Sequence, residues 1–107
     1  MGASRGRASS RLPTFAWVAR FRSDFDALTA AQQASFLIAI ALFVEDLRKG
    51  KFRKGLRVKG VKGARGIFEM TWAHDGRATF QYGEAVTESE PHVIWRRVGT
   101  HQIFREP

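Results

Sequence analysis

The chain has 107 residues, with 18 lysines and arginines against 10 aspartates and glutamates, a net charge of +8 and no cysteine. That length supports one domain with a modest core, and the missing thiols exclude disulfides, thiolate chemistry and cysteine-based zinc sites. Three scattered histidines, His74, His92 and His101, lack metal-ligand spacing, while a charge of this sign and density favours a polyanionic partner.

Residues 1–12 are glycine, alanine, serine and arginine around one closing leucine, a composition that buries no core. They read as a flexible basic tail ahead of a single domain over residues 13–107. No apolar stretch follows the early arginines, so the start does not read as a signal peptide. The longest apolar run, Phe36 to Val44, is too short to span a bilayer. The expected location is the cytoplasm, with no membrane partner. Phe15 to Val18 suggests a short strand. From about Arg20 the spacing of Phe21, Phe25 and Leu28 predicts a helix. Thr29, with Gln32 three residues on, then opens a second helix through a capping box. Arg48 and Lys49 suit its last turn and Gly50 its end. Its main stripe is Phe36, Ile40, Phe43 or Val44, and Leu47, with Leu37, Ile38 and Leu42 on other faces. Either the preceding helix covers that second side or a partner chain does.

From Arg48 to Arg65 the chain carries Arg48, Lys49, Lys51, Arg53, Lys54, Arg57, Lys59, Lys62 and Arg65 with no acidic residue between them. Leu56 to Lys62 reads as a basic strand interrupted by Gly60 and Gly63. Next comes the clearest hairpin. Phe68, Met70 and Trp72 alternate with polar residues, as do Ala78, Phe80 and Tyr82. A three-residue loop, His74-Asp75-Gly76, pairs Trp72 with Ala78, Met70 with Phe80 and Phe68 with Tyr82, with Gly76 left-handed. One face is then apolar, and the other carries Glu69, Thr71, Arg77, Thr79 and Gln81. An acidic loop, Gly83 to Pro91, leads to a strand over His92 to Val98, apolar on both sides, and a short terminal segment. The order predicts an α+β domain in which two N-terminal helices, an αα-hairpin, pack on one face of a small antiparallel sheet.

Gly60 to Gly66 lacks the Lys-Ser/Thr pair of a phosphate-binding loop, and nothing sets a nucleophilic serine on a strand-to-helix elbow. What remains is a polar sheet face edged by cations and a near-terminal histidine. Phosphodiester cleavage suits that inventory: a cation stabilises the pentacoordinate phosphate, and a histidine or carboxylate moves protons. RNA supplies its own 2′-hydroxyl nucleophile, so neither metal nor other cofactor is expected.

Four stretches carry a family resemblance: Leu56 to Gly63 (LRVKGVKG), Ile67 to Trp72 (IFEMTW), Gly76 to Phe80 (GRATF) and Ile94 to Phe104 (IWRRVGTHQIF). They resemble the RelE/ParE toxin superfamily of type II toxin–antitoxin systems. The resemblance runs from about Phe15 to the end and is most specific from Leu56 onward. It implies a RelE-like fold, endonucleolytic cleavage of mRNA, usually at the ribosome, and a cognate antitoxin. It also implies that Arg77 stabilises the transition state, with Lys59, Glu69 and His101 completing the catalytic set. Lys62, Arg57, Lys54, Arg65, Arg97 and Phe104 would contact RNA. Several ribosome-dependent members close with a tyrosine where this chain has Phe104. Its only tyrosine, Tyr82, falls on the predicted buried face, so proton transfer is left to His101 or Glu69. The alternatives are a ParE-like gyrase inhibitor without nuclease activity and an inactive basic RNA-binding domain.

Overall fold

The computed structural model describes residues 12–107; apart from Leu12, the expected basic tail lies outside them. Two helices, α1 (Ala19–Ala27) and α2 (Ala30–Lys49), precede most of the sheet. Helix α2 opens on the capping box read from the sequence. The Thr29 hydroxyl accepts from the Gln32 amide at 3.1 Å, and Gln32 Oε1 accepts from the Thr29 amide at 2.8 Å. It closes at Gly50, whose φ of 81° is left-handed. By length and composition this 20-residue helix could cross a bilayer. Its Phe36, Ala39, Phe43 and Leu47 are instead buried against the sheet. Helix α1 meets α2 at its main stripe, where Phe25 lies edge-on to Phe36 and Gln33 Nε2 donates to the Phe25 carbonyl at 2.9 Å; Leu37 and Ile38 on the second side stay exposed.

The sheet has the order β1-β5-β4-β3-β2, formed by β1 (Thr14–Trp17), β2 (Lys59–Gly60), β3 (Phe68–Ala73), β4 (Gly76–Tyr82) and β5 (His92–Thr100). The α+β class holds, but the sheet is mixed, because β1 runs parallel to β5. Met70, Ala78, Phe80, Val93, Trp95 and Val98 turn inward and are buried. Phe43 is fully buried among them, with its ring 5.1 Å from those of Phe80 and Trp95. This aromatic layer is the core.

The hairpin departs from the expected register by two residues. Phe68 pairs with Phe80, Met70 with Ala78 and Thr71 with Arg77, and Ala73 meets Gly76 across His74-Asp75. A shift of two preserves which side chains face inward, so the assignment of faces survives. Trp72 is the residue left over at a bulge. Its indole folds over the turn, donates Nε1–H to the Arg77 carbonyl at 2.9 Å and meets Phe36 edge-on. Gly76 is therefore required for a different reason than expected. It is not left-handed; a Cβ there would lie 2.5 Å from the Trp72 ring. Tyr82 shares the inward face through contacts with Phe68 and Phe80. At the strand's end it is nonetheless 43% exposed rather than buried.

The basic strand expected over Leu56 to Lys62 shrinks to Lys59–Gly60. Asp46, buried on α2, accepts from the Arg53 amide at 2.9 Å, from its Nε at 2.8 Å and from its Nη2 at 2.8 Å. The chain is thereby pinned beside the helix and turns through a 3-10 segment, Lys54–Leu56, that buries Leu56. Arg57 then takes a left-handed φ of 48°, which breaks the extended run.

Gly76→Ala should destabilise the fold by about 1–3 kcal/mol through collision with Trp72, read by urea denaturation. The Arg53 hydrogen bonds hold the Asp46 carboxyl down at about 2, against an ordinary 3.8. A depressed carboxylate pKa contributes stability that is complete above the unfolded value and disappears as pH falls from about 4 toward 2. Asp46→Asn should therefore flatten the acid limb of a Tm-against-pH curve in that window. An unchanged limb would refute the assignment.

Candidate nucleic-acid interface

Alternation places Glu69, Thr71, Arg77, Thr79 and Gln81 on the sheet face away from the helices. One rung crosses four strands in register: Lys59 opposite Glu69, Glu69 opposite Thr79, and Thr79 opposite Arg97. Adjacent strands lie roughly 4.8 Å apart, so this row is on the order of 14 Å wide. The rung Thr71–Arg77–Gly99 follows about 7 Å further along, and β5 then runs through Thr100 into a closing 3-10 turn, His101–Arg105.

Strand β5 carries a bulge that simple alternation hides. Thr79 pairs with Arg97 but Phe80 with Trp95, so Arg96 is supernumerary. The extra residue lets Trp95 and Val98, three apart, both be buried. It also puts Arg96 and Arg97 along the wall of a single cleft. The spacing of Val93, Trp95 and Val98 was the sequence signal for it.

The sequence-predicted residues fall into three groups, with Arg77 standing apart. Lys59 and Glu69 are brought together, the lysine exposed and the glutamate half-buried. Lys54, Arg57, Lys62 and Arg65 are exposed along the chain on either side of Lys59. Arg77 is half-buried, and its Nη1 donates to the Ala73, His74 and Gly76 carbonyls at 3.3, 3.3 and 3.0 Å. The same guanidinium lines a concavity of about 580 Å³ with Arg57, Thr71 and His74. It thus closes the turn and faces solvent at once.

The third group lies around the end of β5. His101 stands 3.6 Å from Asp75, within ion-pair reach when protonated, with Phe104 edge-on to it at 5.7 Å. Arg97 is 14% exposed and committed to Asp24, Nε to Oδ2 at 2.6 Å. Nor is the polar face fully open, as alternation alone had suggested. Thr79 is completely buried and donates its hydroxyl to the Pro107 carbonyl at 2.9 Å.

Sequence reasoning missed Asp24, Asp75, Arg96 and the Asp46–Arg53 latch. Asp24 accepts both the Arg97 side chain and the Val98 amide, a tertiary contact without local pattern. His92, one of the three scattered histidines, bonds the Thr14 hydroxyl at 2.7 Å and ties β1 to β5.

Charge is partitioned unevenly. Among the described residues, Arg20, Arg22, Lys49, Arg53 and Arg97 have carboxylate partners. Lys54, Arg57, Lys59, Lys62 and Arg65 form no ion pair there, so the uncompensated positive charge gathers around β2. Among those residues no group of histidine or carboxylate side chains is arranged to hold a metal.

Two helices on one face of a five-stranded mixed sheet match the fold of RelE-like toxins of known structure. No protein-family model matches the sequence, and no curated protein matches it. Solved structures do. The E. coli DinJ-YafQ toxin–antitoxin complex aligns with a TM-score of 0.62 at 11% identity, over 87% of this chain and 94% of that one. The YoeB/ParE toxin from Agrobacterium tumefaciens gives 0.61 at 11% identity, over 82% and 98%. The RelB-RelE antitoxin–toxin complex from Methanococcus jannaschii gives 0.56 at 13%, over 85% and 95%. At these identities the likeness is one of fold.

Arg77 should reveal its structural part by substitution. Arg77→Met is expected to cost about 1–2 kcal/mol through the lost carbonyl contacts. His101→Ala, at an exposed position, should stay within about 0.5 kcal/mol of the parent. Equal costs in chemical denaturation would contradict this division.

Proposed function

We propose that this chain is the toxin of a type II toxin–antitoxin pair, a RelE-like endoribonuclease that cuts mRNA in the cytoplasm in association with the ribosome. The observation that carries the reading is the set of unpaired cations around β2, beside the rung that holds Glu69. Such a cluster attracts a phosphodiester backbone by releasing its counterions. The fold shared with YafQ, YoeB/ParE and RelE supports the same class.

In this scheme the 2′-hydroxyl attacks the adjacent phosphorus and the 5′-oxygen departs, leaving a 2′,3′-cyclic phosphate. The proton of the attacking hydroxyl passes to Glu69 or to His101, the latter beside Asp75, and the leaving oxygen takes a proton from the same group or from water. Lys59 and Arg77 neutralise the pentacoordinate phosphate, and Lys54, Arg57, Lys62, Arg65, Arg97 and Phe104 hold the flanking RNA. No metal or cofactor enters.

The partner is a cognate antitoxin. Two of the similar structures are complexes with an antitoxin by name. This chain has an apolar groove of about 380 Å³ between β1 and the helices, lined by Phe15, Trp17, Phe25 and Leu37 among others. Trp17 and Leu37 are each 56% exposed, an unusual outlay of apolar surface for a chain without a protein partner.

Induced expression should arrest growth and cleave mRNA, mapped by primer extension. His101→Ala should slow cleavage at least about 100-fold while leaving the fold intact. Unimpaired growth with intact mRNA would overturn the proposal, as would gyrase inhibition without RNA cleavage.

A further inference from the structure

Beside the rung that serves the proposed chemistry, the open face contains a second cleft of about 460 Å³, bordered by Arg20, Arg96, Arg97, Ile67 and the closing residues. Three guanidinium groups converge on two consecutive residues there. Arg20 Nη1 lies 2.8 Å from the Glu106 carboxylate. Arg97 Nη1 donates to the Glu106 carbonyl at 2.9 Å, and Arg96 Nε to the Pro107 carbonyl at 3.1 Å. The buried Thr79 hydroxyl donates to that same Pro107 oxygen.

Arg96 is half-buried, and among the described residues no side-chain carboxylate lies within ion-pair distance of it. Its partners are the Pro107 main-chain oxygen and the Gln81 amide oxygen, the latter at 2.6 Å. A partly desolvated guanidinium needs such oxygens, and an anionic ligand would serve it better than an amide. The bulge in β5 aims it into the cleft, with a hydroxyl donor beside it. Oxygens spaced along a chain and gripped by Arg96, Arg97 and Thr79 are what a sugar–phosphate backbone presents. The Glu106 side chain adds a carboxylate to these main-chain oxygens.

From this geometry we infer that the cleft is a phosphodiester-binding subsite occupied in the free protein by residues 106–107. Single-stranded RNA and the closing segment compete for the same donors, so the segment limits RNA affinity until it is displaced. The inference takes its ligand class from the proposed function. It concerns binding, however, and stands or falls apart from cleavage.

The test uses a fluorescein-labelled single-stranded decaribonucleotide and anisotropy across a salt series. Removal of Arg105 to Pro107 should tighten binding about 5- to 10-fold. The slope of log K against log salt should steepen by about 0.7 for each phosphate gained. Arg96→Gln should cancel that gain in the shortened chain and change the full chain less than twofold. If exposure of Thr79 prevents the shortened chain from folding, Glu106→Gln provides the same comparison. It releases Arg20 without changing length, and Arg96→Gln should again cancel its gain. Equal affinity of the full and altered chains, or a gain that survives Arg96→Gln, would overturn the inference. Tight binding without cleavage would overturn the nuclease reading alone.

Discussion

Trp95 sits where every layer of the molecule meets. Its ring lies 6.1 Å from Phe21 on α1, 6.0 and 5.1 Å from Phe36 and Phe43 on α2, and 5.3 Å from Phe80 on β4. Each edge or tilted aromatic contact adds little alone; together they fix both helices against the central strands. Burying Trp95 and also Val98 on the same strand is possible only with one residue too many between them. The bulge at Arg96 is thus a demand of the core. Its effect appears on the other side of the sheet, where two adjacent arginines border one cleft. Packing on the helix side writes the electrostatics of the polar side.

The division of charge follows from where carboxylates are available. Helix α1 and the closing turn bring Asp24, Asp26 and Glu106 to the arginines near them, and the end of α2 brings Glu45 and Asp46 to Arg53. Nothing acidic precedes Glu69 in the stretch that follows Asp46. Beyond Arg53, which Glu45 and Asp46 hold, Lys54, Arg57, Lys59, Lys62 and Arg65 form no ion pair among the described residues. Exposed ion pairs contribute little stability. Their larger consequence here is to silence some cations and leave others audible to a polyanion at a distance.

What could be read from the sequence was whatever a local pattern encodes. Thr29, Gln32 and Gly50 announced the ends of α2 because capping is a short-range affair. The parity of Phe68, Met70, Ala78 and Phe80 gave the two faces of the hairpin because side-chain direction alternates whatever the register. Register was misread because Trp72 leaves the ladder to cover Gly76, a choice made by the volume of an indole and by Phe36 beyond it. The basic strand was overextended because the buried Asp46 that bends the chain at Arg53 lies across a helix end, outside any strand pattern. The parallel pairing of β1 joins residues far apart in the chain and left no local trace. The candidate site divides in the same way. Lys59, Glu69 and Arg77 follow from alternation, whereas Asp24, Asp75 and Arg96 owe their places to contacts that only the folded chain makes.

Asp24 also settles the fate of one border of the sheet. Strand β1 has four residues and β5 has nine, so β5 continues past its parallel neighbour with an edge that would otherwise offer hydrogen bonds to any extended chain. The Asp24 carboxylate takes the Val98 amide at 3.1 Å on that stretch. A strand arriving there must first expel a carboxylate that Arg97 also holds in place. Growth of the sheet by accidental pairing is therefore obstructed at this border by α1, which packs along β5, and by the Asp24 that it carries, rather than by a proline. The same contact that orients an arginine also occupies a donor on the strand's edge.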